Sequence, residues 1–127
     1  MNFNRIASKA IFAAASTLIA AAAFAHPALV SSTPQDKSQG ASPEKIELTF
    51  TETLSTQFSG ANLVMTSMPG MANHTMKIKA TVAPGADGKT MVVTPSNPLT
   101  TGSYRVEWRA VSADTHPIKG SISFDVK

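Results

Sequence analysis

Two stretches near the carboxyl end of the chain alternate between apolar and polar residues, and this alternation limits what the chain can fold into. The stretches are residues 104–110 and 118–126. A period of two places successive side chains on opposite faces, which is typical of a β-strand with one buried face. Trp108 falls on the apolar side and is predicted to be a core residue. No helical period follows residue 25, so we expect an all-β fold.

Shorter apolar or alternating runs, separated by Pro, Gly, Asn and Ser, predict further strands. Residues 35–43 are polar and are predicted to be a connection. Seven short strands favour one two-sheet antiparallel sandwich, immunoglobulin-like, or a Greek-key β-barrel. The seven predicted strands are residues 28–33, 46–51, 61–66, 77–82, 91–94, 104–110 and 118–126.

The amino-terminal residues have the pattern of a secretory signal peptide. Arg5 and Lys9 form a basic segment, an apolar run follows at residues 10–24, and Ala23-Phe24-Ala25 matches an A-x-A cleavage site. The apolar run is short for a membrane span, and no second one follows it. We therefore predict a cleaved signal peptide at residues 1–25, no membrane anchor, and one mature domain at residues 26–127.

Charge and cysteine content narrow the functional classes. Loss of Arg5 and Lys9 lowers the Lys and Arg total from 11 to nine against 8 Asp and Glu, so the net charge falls from +3 to about +1. This balance gives no basis for binding nucleic acid or an anionic membrane surface. The chain contains no cysteine, so a soft metal site must use methionine and histidine.

Four methionines and a histidine lie within 12 residues, around the turn signal Pro69-Gly70. Methionine usually fills cores, but no strand or helix period carries all four into one. We therefore expect the turn to hold them near the surface. Thioether sulfur is a soft, neutral ligand that suits Cu(I). The predicted Cu(I) ligands are Met65, Met68, Met71 and Met76, with His74 as a further candidate.

A second candidate site combines His26 with a D-x-H sequence. Asp114 and His116 lie between the two clearest predicted strands, and in an extended segment they point to the same side. Alone, such a loop histidine is usually just solvated. Cleavage before His26 changes this interpretation, because its α-amine and imidazole can then chelate one metal ion. Pro27 has no backbone N–H, so the chelate is expected to stop at those two groups.

This second ligand set is harder than the methionine set. An amine, two imidazoles and the Asp114 carboxylate suit tetragonal Cu(II). Glu52 continues the every-second-residue spacing of the apolar positions Ile46, Leu48 and Phe50, so its side chain need not point into solvent. It is therefore a candidate fifth ligand. The alternative for Glu52 is an ordinary surface carboxylate.

Four motifs of the mature sequence together form a recognisable pattern: His26-Pro27, Phe50-Thr-Glu52, Met65-x-x-Met68-Pro-Gly-Met71 and Trp108-Arg-Ala-Val-Ser-x-Asp114-Thr-His116-Pro117. With these motifs the sequence resembles the CopC/PcoC family of periplasmic copper-resistance proteins, and the resemblance extends from His26 to Lys127. One departure concerns His74, since the family pattern has its loop histidine one residue earlier.

The resemblance implies a small Greek-key β-barrel, cupredoxin-like in shape, with two copper sites toward opposite ends. It implies Cu(II) ligands at His26, Asp114 and His116, with Glu52 sometimes included, and Cu(I) ligands at the four methionines. It also implies a periplasmic carrier or buffer of copper. Such a protein acts with an inner-membrane copper-transport protein and a periplasmic multicopper oxidase.

Two other functions compete with a copper carrier. An amino-terminal histidine plus a second histidine is also the copper brace of oxidative polysaccharide monooxygenases. However, Asp114 occupies a position that oxygen chemistry needs open, and one Trp and one Tyr give no evident sugar-binding face. A purely structural sandwich leaves the methionine turn and His26-Pro27 unexplained. We therefore predict a copper-binding protein that is not an enzyme.

Overall fold

The computed structural model describes residues 26–73 and 75–127, which form nine β-strands. The predicted signal peptide and His74 lie outside the described residues. Within the described part of the chain, no helix is long and apolar enough to cross a membrane. In chain order the strands are β1 (Leu29–Thr33), β2 (Ser38–Gly40), β3 (Ile46–Phe50), β4 (Gly60–Ser67), β5 (Met76–Ile78), β6 (Ala80–Pro84), β7 (Thr90–Pro95), β8 (Gly102–Ala110) and β9 (Ile118–Val126).

The strands form two sheets that enclose one core. One sheet has four strands in the order β1-β3-β7-β6, and the other has five in the order β2-β9-β8-β4-β5. Paired strands are antiparallel except for β2 and β9, which are parallel. The predicted all-β sandwich is therefore confirmed, with one parallel pair added.

The core consists of the apolar side of the predicted alternation. Trp108 is 8% exposed and meets Phe50 edge to face, with the ring centroids 4.9 Å apart. Tyr104 stacks on Phe124 at a centroid distance of 5.6 Å, and its hydroxyl donates to the Thr100 carbonyl at 2.6 Å. Each such aromatic pair stabilises the fold by about 0.5–1.5 kcal/mol beyond burial. The prediction that Trp108 is a core residue is confirmed.

The single strand predicted at residues 77–82 is wrong, because the chain changes sheets within it. The strand β5 ends at Ile78 and pairs with β4, whereas β6 begins at Ala80 and pairs with β7 in the other sheet. A period of two reports that a backbone is extended, but it does not report which sheet the backbone joins.

The polar connection predicted at residues 35–43 contains β2. This short strand pairs with the edge of β9, and Asp36 Oδ1 accepts the Ser123 N–H at 2.8 Å. Its sequence, Ser-Gln-Gly, has no apolar alternation. The strand therefore depends on the hydrogen-bonding edge that β9 presents, which no local pattern reveals.

The strand β8 runs between the two ends of the sandwich. Its first residue, Gly102, lies so close to Ser67 at the end of β4 that a Cβ on Gly102 would be 2.6 Å from the Ser67 carbonyl oxygen. Its last residue, Ala110, pairs with Ile118 across the loop 111–117. Nine strand residues at about 3.3 Å each separate the two ends by roughly 25 Å.

Candidate metal centres

Three of the predicted hard ligands meet at one end of the sandwich. Ligand atoms of His26, Asp114 and His116 all lie within 4.8 Å of one another. The Nδ1 atom of His26 is 2.8 Å from Asp114 Oδ2, and the two imidazole centroids are 5.9 Å apart. A segment preceding β1 and the loop between β8 and β9 thus contribute to a single cluster.

The loop 111–117 is a turn, so the extended geometry predicted for it is wrong. Thr115 has a φ of +65°, and its N–H donates to the Ser112 carbonyl at 3.0 Å. Asp114 Oδ1 accepts the His116 N–H at 3.1 Å. This side-chain-to-backbone hydrogen bond, rather than strand parity, holds His116 beside the carboxylate.

Asp114 is held as an anion although its side chain is only 8% exposed. Burial by itself raises the pKa of this carboxyl. Hydrogen bonds from the His116 N–H and the Ser112 hydroxyl, together with His26 nearby, outweigh burial and hold the pKa of Asp114 below its ordinary value. The Oδ2 atom is shielded from solvent and accepts no well-aligned hydrogen bond from the described residues. It can therefore serve as a ligand for a cation.

The residues after His26 fix where its imidazole lies. Pro27 is among the fully buried side chains. The Ala28 N–H donates to Thr51 Oγ1 at 3.0 Å, and the Thr51 N–H donates to the Ala28 carbonyl at 2.9 Å. His26 itself has a 56% exposed side chain, so it is anchored through its neighbours and not by its own burial.

Glu52 does not join this cluster. Its side chain is half-buried just beyond the end of β3, and it is not among the residues whose ligand atoms lie within 4.8 Å of one another. No hydrogen bond or ion pair among the described residues connects it to His26 or Asp114. Its role as a fifth ligand stays a prediction.

The methionine turn lies at the opposite end, between β4 and β5. The Met71 N–H donates to the Met68 carbonyl at 2.9 Å, and the Met68 N–H donates to the Met71 carbonyl at 3.3 Å. Pro69 and Gly70 occupy the two central positions, and Gly70 has a φ of +83°, as a type II turn requires. The turn signal is thus confirmed, and it brings Met68 and Met71 together as bridge partners.

Three of the four methionines line one cavity of about 250 Å³. Met65 and Met76 are paired across β4 and β5. Met68, just after the end of β4, is partly buried and packs against the core. The expectation that the turn holds all four near the surface is wrong for Met65, which is 2% exposed. Met65 shares its inward parity with Leu63, so the strand carries it into the core.

The cavity has the chemistry that Cu(I) prefers. Thioether sulfur is a soft ligand without charge. The rest of the lining is mixed, since it includes Ile78 and Leu99 as well as Lys77 and Lys79. Met76 is 41% exposed, so one of the lining methionines is reachable from solvent. Met71 is 47% exposed and is not part of the cavity lining. It lies across the turn from Met68, to which it is joined by two backbone hydrogen bonds.

Two residues that no sequence pattern indicated shape the hard cluster. Ser112 is a buried polar residue that donates to Asp114 Oδ1 at 3.2 Å. Thr51 holds the backbone of Ala28. Ser112 is only two residues from Asp114, so its short polar side chain could have been considered as a partner of the carboxylate from the sequence alone. Thr51, by contrast, looks like any solvent-facing strand residue until the amino-terminal segment is packed beside it.

The fold and the two clusters define a class of small β-sandwich protein with a hard ligand set at one end and a soft set at the other. The chain belongs to the CopC family, since the CopC domain pattern matches residues 29–127. That match covers every described strand.

Individual relatives are similar over most or all of their length. The chain is 60% identical over 127 residues to copper resistance protein C of Pseudomonas syringae pv. tomato, with 100% of both chains covered. It is 57% identical over 110 residues to copper resistance protein C of Escherichia coli, covering 86% of this chain and 87% of that protein. The crystal structure of PcoC, a methionine-rich copper resistance protein from Escherichia coli, superposes with a TM-score of 0.76 at 56% identity, covering 81% and 100% of the two chains.

Proposed function

We propose that this chain is a periplasmic copper carrier or buffer that contributes to copper resistance and is not an enzyme. Its similarity to copper resistance proteins supports the general role. The observation that carries the proposal is the cluster of His26, Asp114 and His116, whose ligand atoms lie within 4.8 Å of one another.

The hard cluster is proposed to bind Cu(II). After signal cleavage, His26 supplies an α-amine and an imidazole, His116 supplies a second imidazole, and Asp114 supplies a carboxylate oxygen. Nitrogen and oxygen ligands of this kind suit tetragonal Cu(II). The shielded Asp114 Oδ2, which lacks a well-aligned hydrogen bond among the described residues, would gain a partner. Glu52 remains a candidate fifth ligand.

The methionine cavity is proposed to bind Cu(I). Met65, Met68 and Met76 line it, and Met71 can join them across the turn. His74 is a further candidate ligand. The separation of about 25 Å between the ends of β8 keeps the two sites independent, so each oxidation state has its own ligand set.

The proposed cellular role needs partners. The family resemblance supports an inner-membrane copper-transport protein and a periplasmic multicopper oxidase as the proteins that receive or supply copper. Export through a cleaved signal peptide at residues 1–25 would place the chain in the periplasm beside both.

A copper titration of the protein that begins at His26 tests the proposal. We expect one Cu(II) per chain in the absence of reductant and one Cu(I) per chain in its presence. Asp114→Asn, which keeps the size of the side chain, should weaken Cu(II) binding and leave Cu(I) binding unchanged. If the protein bound neither ion more tightly than the buffer does, the proposed carrier function would be contradicted. Sustained peroxide formation or glycan cleavage above free copper would favour the histidine-brace enzyme instead.

A further inference from the structure

A groove lies on the outer face of the five-stranded sheet, on the strands that carry the hard cluster. It encloses about 790 Å³ and is lined by parts of β4, β8 and β9 and by the turn before β4. Its side chains include Phe58, Asn62, Arg109 and Lys119. These side chains are exposed, so the groove is a surface feature and not part of the core.

Two cations face each other in this groove without an anionic partner. Arg109 and Lys119 are directly opposite in the register of β8 and β9. Like charges at opposite positions destabilise a sheet. Among the described residues neither of them forms an ion pair. Glu107 also lines the groove, but its carboxylate is paired with Arg105, whose Nη2 is 3.0 Å from Glu107 Oε2. The positive charge of the pair therefore remains available.

An aromatic side chain is held beside these cations. Phe58 is 55% exposed, although the segment that carries it is anchored. The Ser59 hydroxyl accepts the Val111 N–H at 2.9 Å, and the Ser55 N–H donates to the Val111 carbonyl at 2.7 Å. On this anchored backbone, Phe58 offers apolar surface beside the two cations, on which an apolar side chain of a partner can pack.

The position of the groove relates it to the hard cluster. The pair formed by Arg109 and Lys119 is one step from the last pair of the hairpin, Ala110 and Ile118. The loop beyond that last pair carries Asp114. A protein that occupied the groove would therefore lie beside the proposed Cu(II) site.

We propose that this groove is the docking surface for an acidic segment of a partner protein that exchanges copper with the Cu(II) site. Carboxylates of that segment would neutralise Arg109 and Lys119, and an apolar side chain would pack on Phe58. The copper exchange rests on the function proposed above, whereas docking itself requires no copper. Complementary charge would also speed the encounter at low salt.

The test uses the copper-free protein that begins at His26 and an end-blocked probe peptide, Asp-Glu-Phe-Asp-Glu. NMR amide shifts are followed during titration at low salt, with Asn-Gln-Phe-Asn-Gln as the uncharged control peptide. We expect shifts concentrated around Asn62, Arg109 and Lys119, with little response to the control peptide. The double variant Arg109→Glu/Lys119→Glu should weaken peptide binding by about tenfold or more.

A matched variant separates location from net charge. Lys45→Glu/Lys127→Glu makes the same charge change with two exposed lysines at the opposite end of the sandwich. Its loss of binding free energy for the acidic peptide should be less than half of the loss caused by Arg109→Glu/Lys119→Glu. Shifts spread evenly over the surface, equal binding of the uncharged peptide, or equal losses in both variants would overturn the proposal. Preferential binding of phosphatidylglycerol vesicles over the peptide, or self-association abolished by Arg109→Glu/Lys119→Glu, would assign the groove to a membrane or to a second copy instead.

Copper measurements distinguish this proposal from the function proposed above. Arg109→Glu/Lys119→Glu changes no proposed ligand, so its own Cu(II) stoichiometry should match that of the unaltered protein. Normal copper binding without peptide docking would contradict only the docking surface. Peptide docking without copper binding would contradict only the carrier function.

Discussion

Ala28 and Thr51 hold each other through two hydrogen bonds. The Ala28 N–H donates to Thr51 Oγ1 at 3.0 Å, and the Thr51 N–H donates to the Ala28 carbonyl at 2.9 Å. Pro27, immediately before this pair, is buried. Together they set the direction in which His26 leaves the sandwich, which explains how an exposed residue outside every strand keeps its Nδ1 atom 2.8 Å from Asp114.

Thr51→Val is expected to weaken Cu(II) binding. The change keeps the shape of the side chain but removes the oxygen that accepts the Ala28 N–H, and a single hydrogen bond contributes about 0.5–1.5 kcal/mol. We expect a loss of Cu(II) affinity of up to about tenfold, measured by competition with a chelator. Cu(I) affinity should not change.

Thr49→Val is the matched control for that experiment. Thr49 lies in β3, two residues before Thr51. Its hydroxyl contacts the Thr90 hydroxyl at 3.2 Å instead of the amino-terminal segment. Its Cu(II) affinity should equal that of the unaltered protein. If Thr49→Val and Thr51→Val weaken Cu(II) binding equally, Thr51 does not position His26.

One additional glycine before His26 is expected to abolish the chelate. The nitrogen of His26 would become an amide, which is a poor donor unless deprotonated. The Cu(II) affinity should fall more than about tenfold, or above about 1.4 kcal/mol, while Cu(I) affinity and the circular dichroism spectrum stay constant. Equal Cu(II) affinity with and without the glycine would show that the amino terminus is not a ligand.

Met68→Leu/Met71→Leu is expected to weaken Cu(I) binding and leave the fold intact. Leucine matches methionine in size, and such exchanges usually cost less than about 1.5 kcal/mol of stability. The two sulfur donors are lost. Cu(I) affinity is measured against a bicinchoninate competitor, and Cu(II) affinity serves as the internal control. Unchanged Cu(I) affinity would contradict the assignment of the methionine turn.

Gly120→Ala is expected to destabilise the domain without touching either ligand set. A Cβ on Gly120 would be 2.4 Å from Cζ2 of Trp108, because the indole lies over its cross-strand neighbour. Overpacking of this kind costs about 1–3 kcal/mol, measured by urea unfolding. Gly60→Ala is the control, since a Cβ there meets nothing within 4 Å. Equal stability of the two variants would refute the close packing of Trp108.

Asp87 is expected to make stability depend on pH. Its Oδ1 accepts the N–H groups of Lys89 and Thr90 at 2.8 and 2.9 Å, and these bonds hold the pKa of the carboxyl below 3.8 against the opposing effect of burial. Because the pKa of Asp87 is lower in the folded than in the unfolded state, the ionised carboxylate stabilises the fold at pH values above its unfolded-state pKa. This contribution is lost as the pH falls through the folded-state pKa.

Asp87→Ala should therefore be less stable than the unaltered protein at neutral pH, and the difference should shrink as pH falls below 3.8. Asp87→Asn keeps an acceptor oxygen without the charge, so its stability at neutral pH should lie between those of Asp87→Ala and the unaltered protein. Urea unfolding midpoints across this range measure the effect. A difference that stays constant with pH would show that the ionised carboxylate does not contribute.

Local patterns in the sequence predicted most of the fold. The alternation around Trp108 places that residue in the core, and Pro69-Gly70 predicts the turn that joins Met68 to Met71. Both patterns act between residues close in sequence, where side-chain direction and backbone dihedral angles are set locally. The division of residues 77–82 between two sheets and the parallel strand β2 were not predictable in this way.

The ligand types were also visible in the sequence, because a methionine-rich turn, an amino-terminal histidine after cleavage and a D-x-H loop each suggest a metal by chemistry alone. Their arrangement depends on tertiary structure. Met65 is buried because β4 carries it inward, and Glu52 is outside the cluster that its parity suggested. His26 and Asp114 meet only because β1 begins and β8 ends at the same side of the sandwich. Contacts between residues so distant in sequence are decided by sheet packing, and no local pattern encodes them.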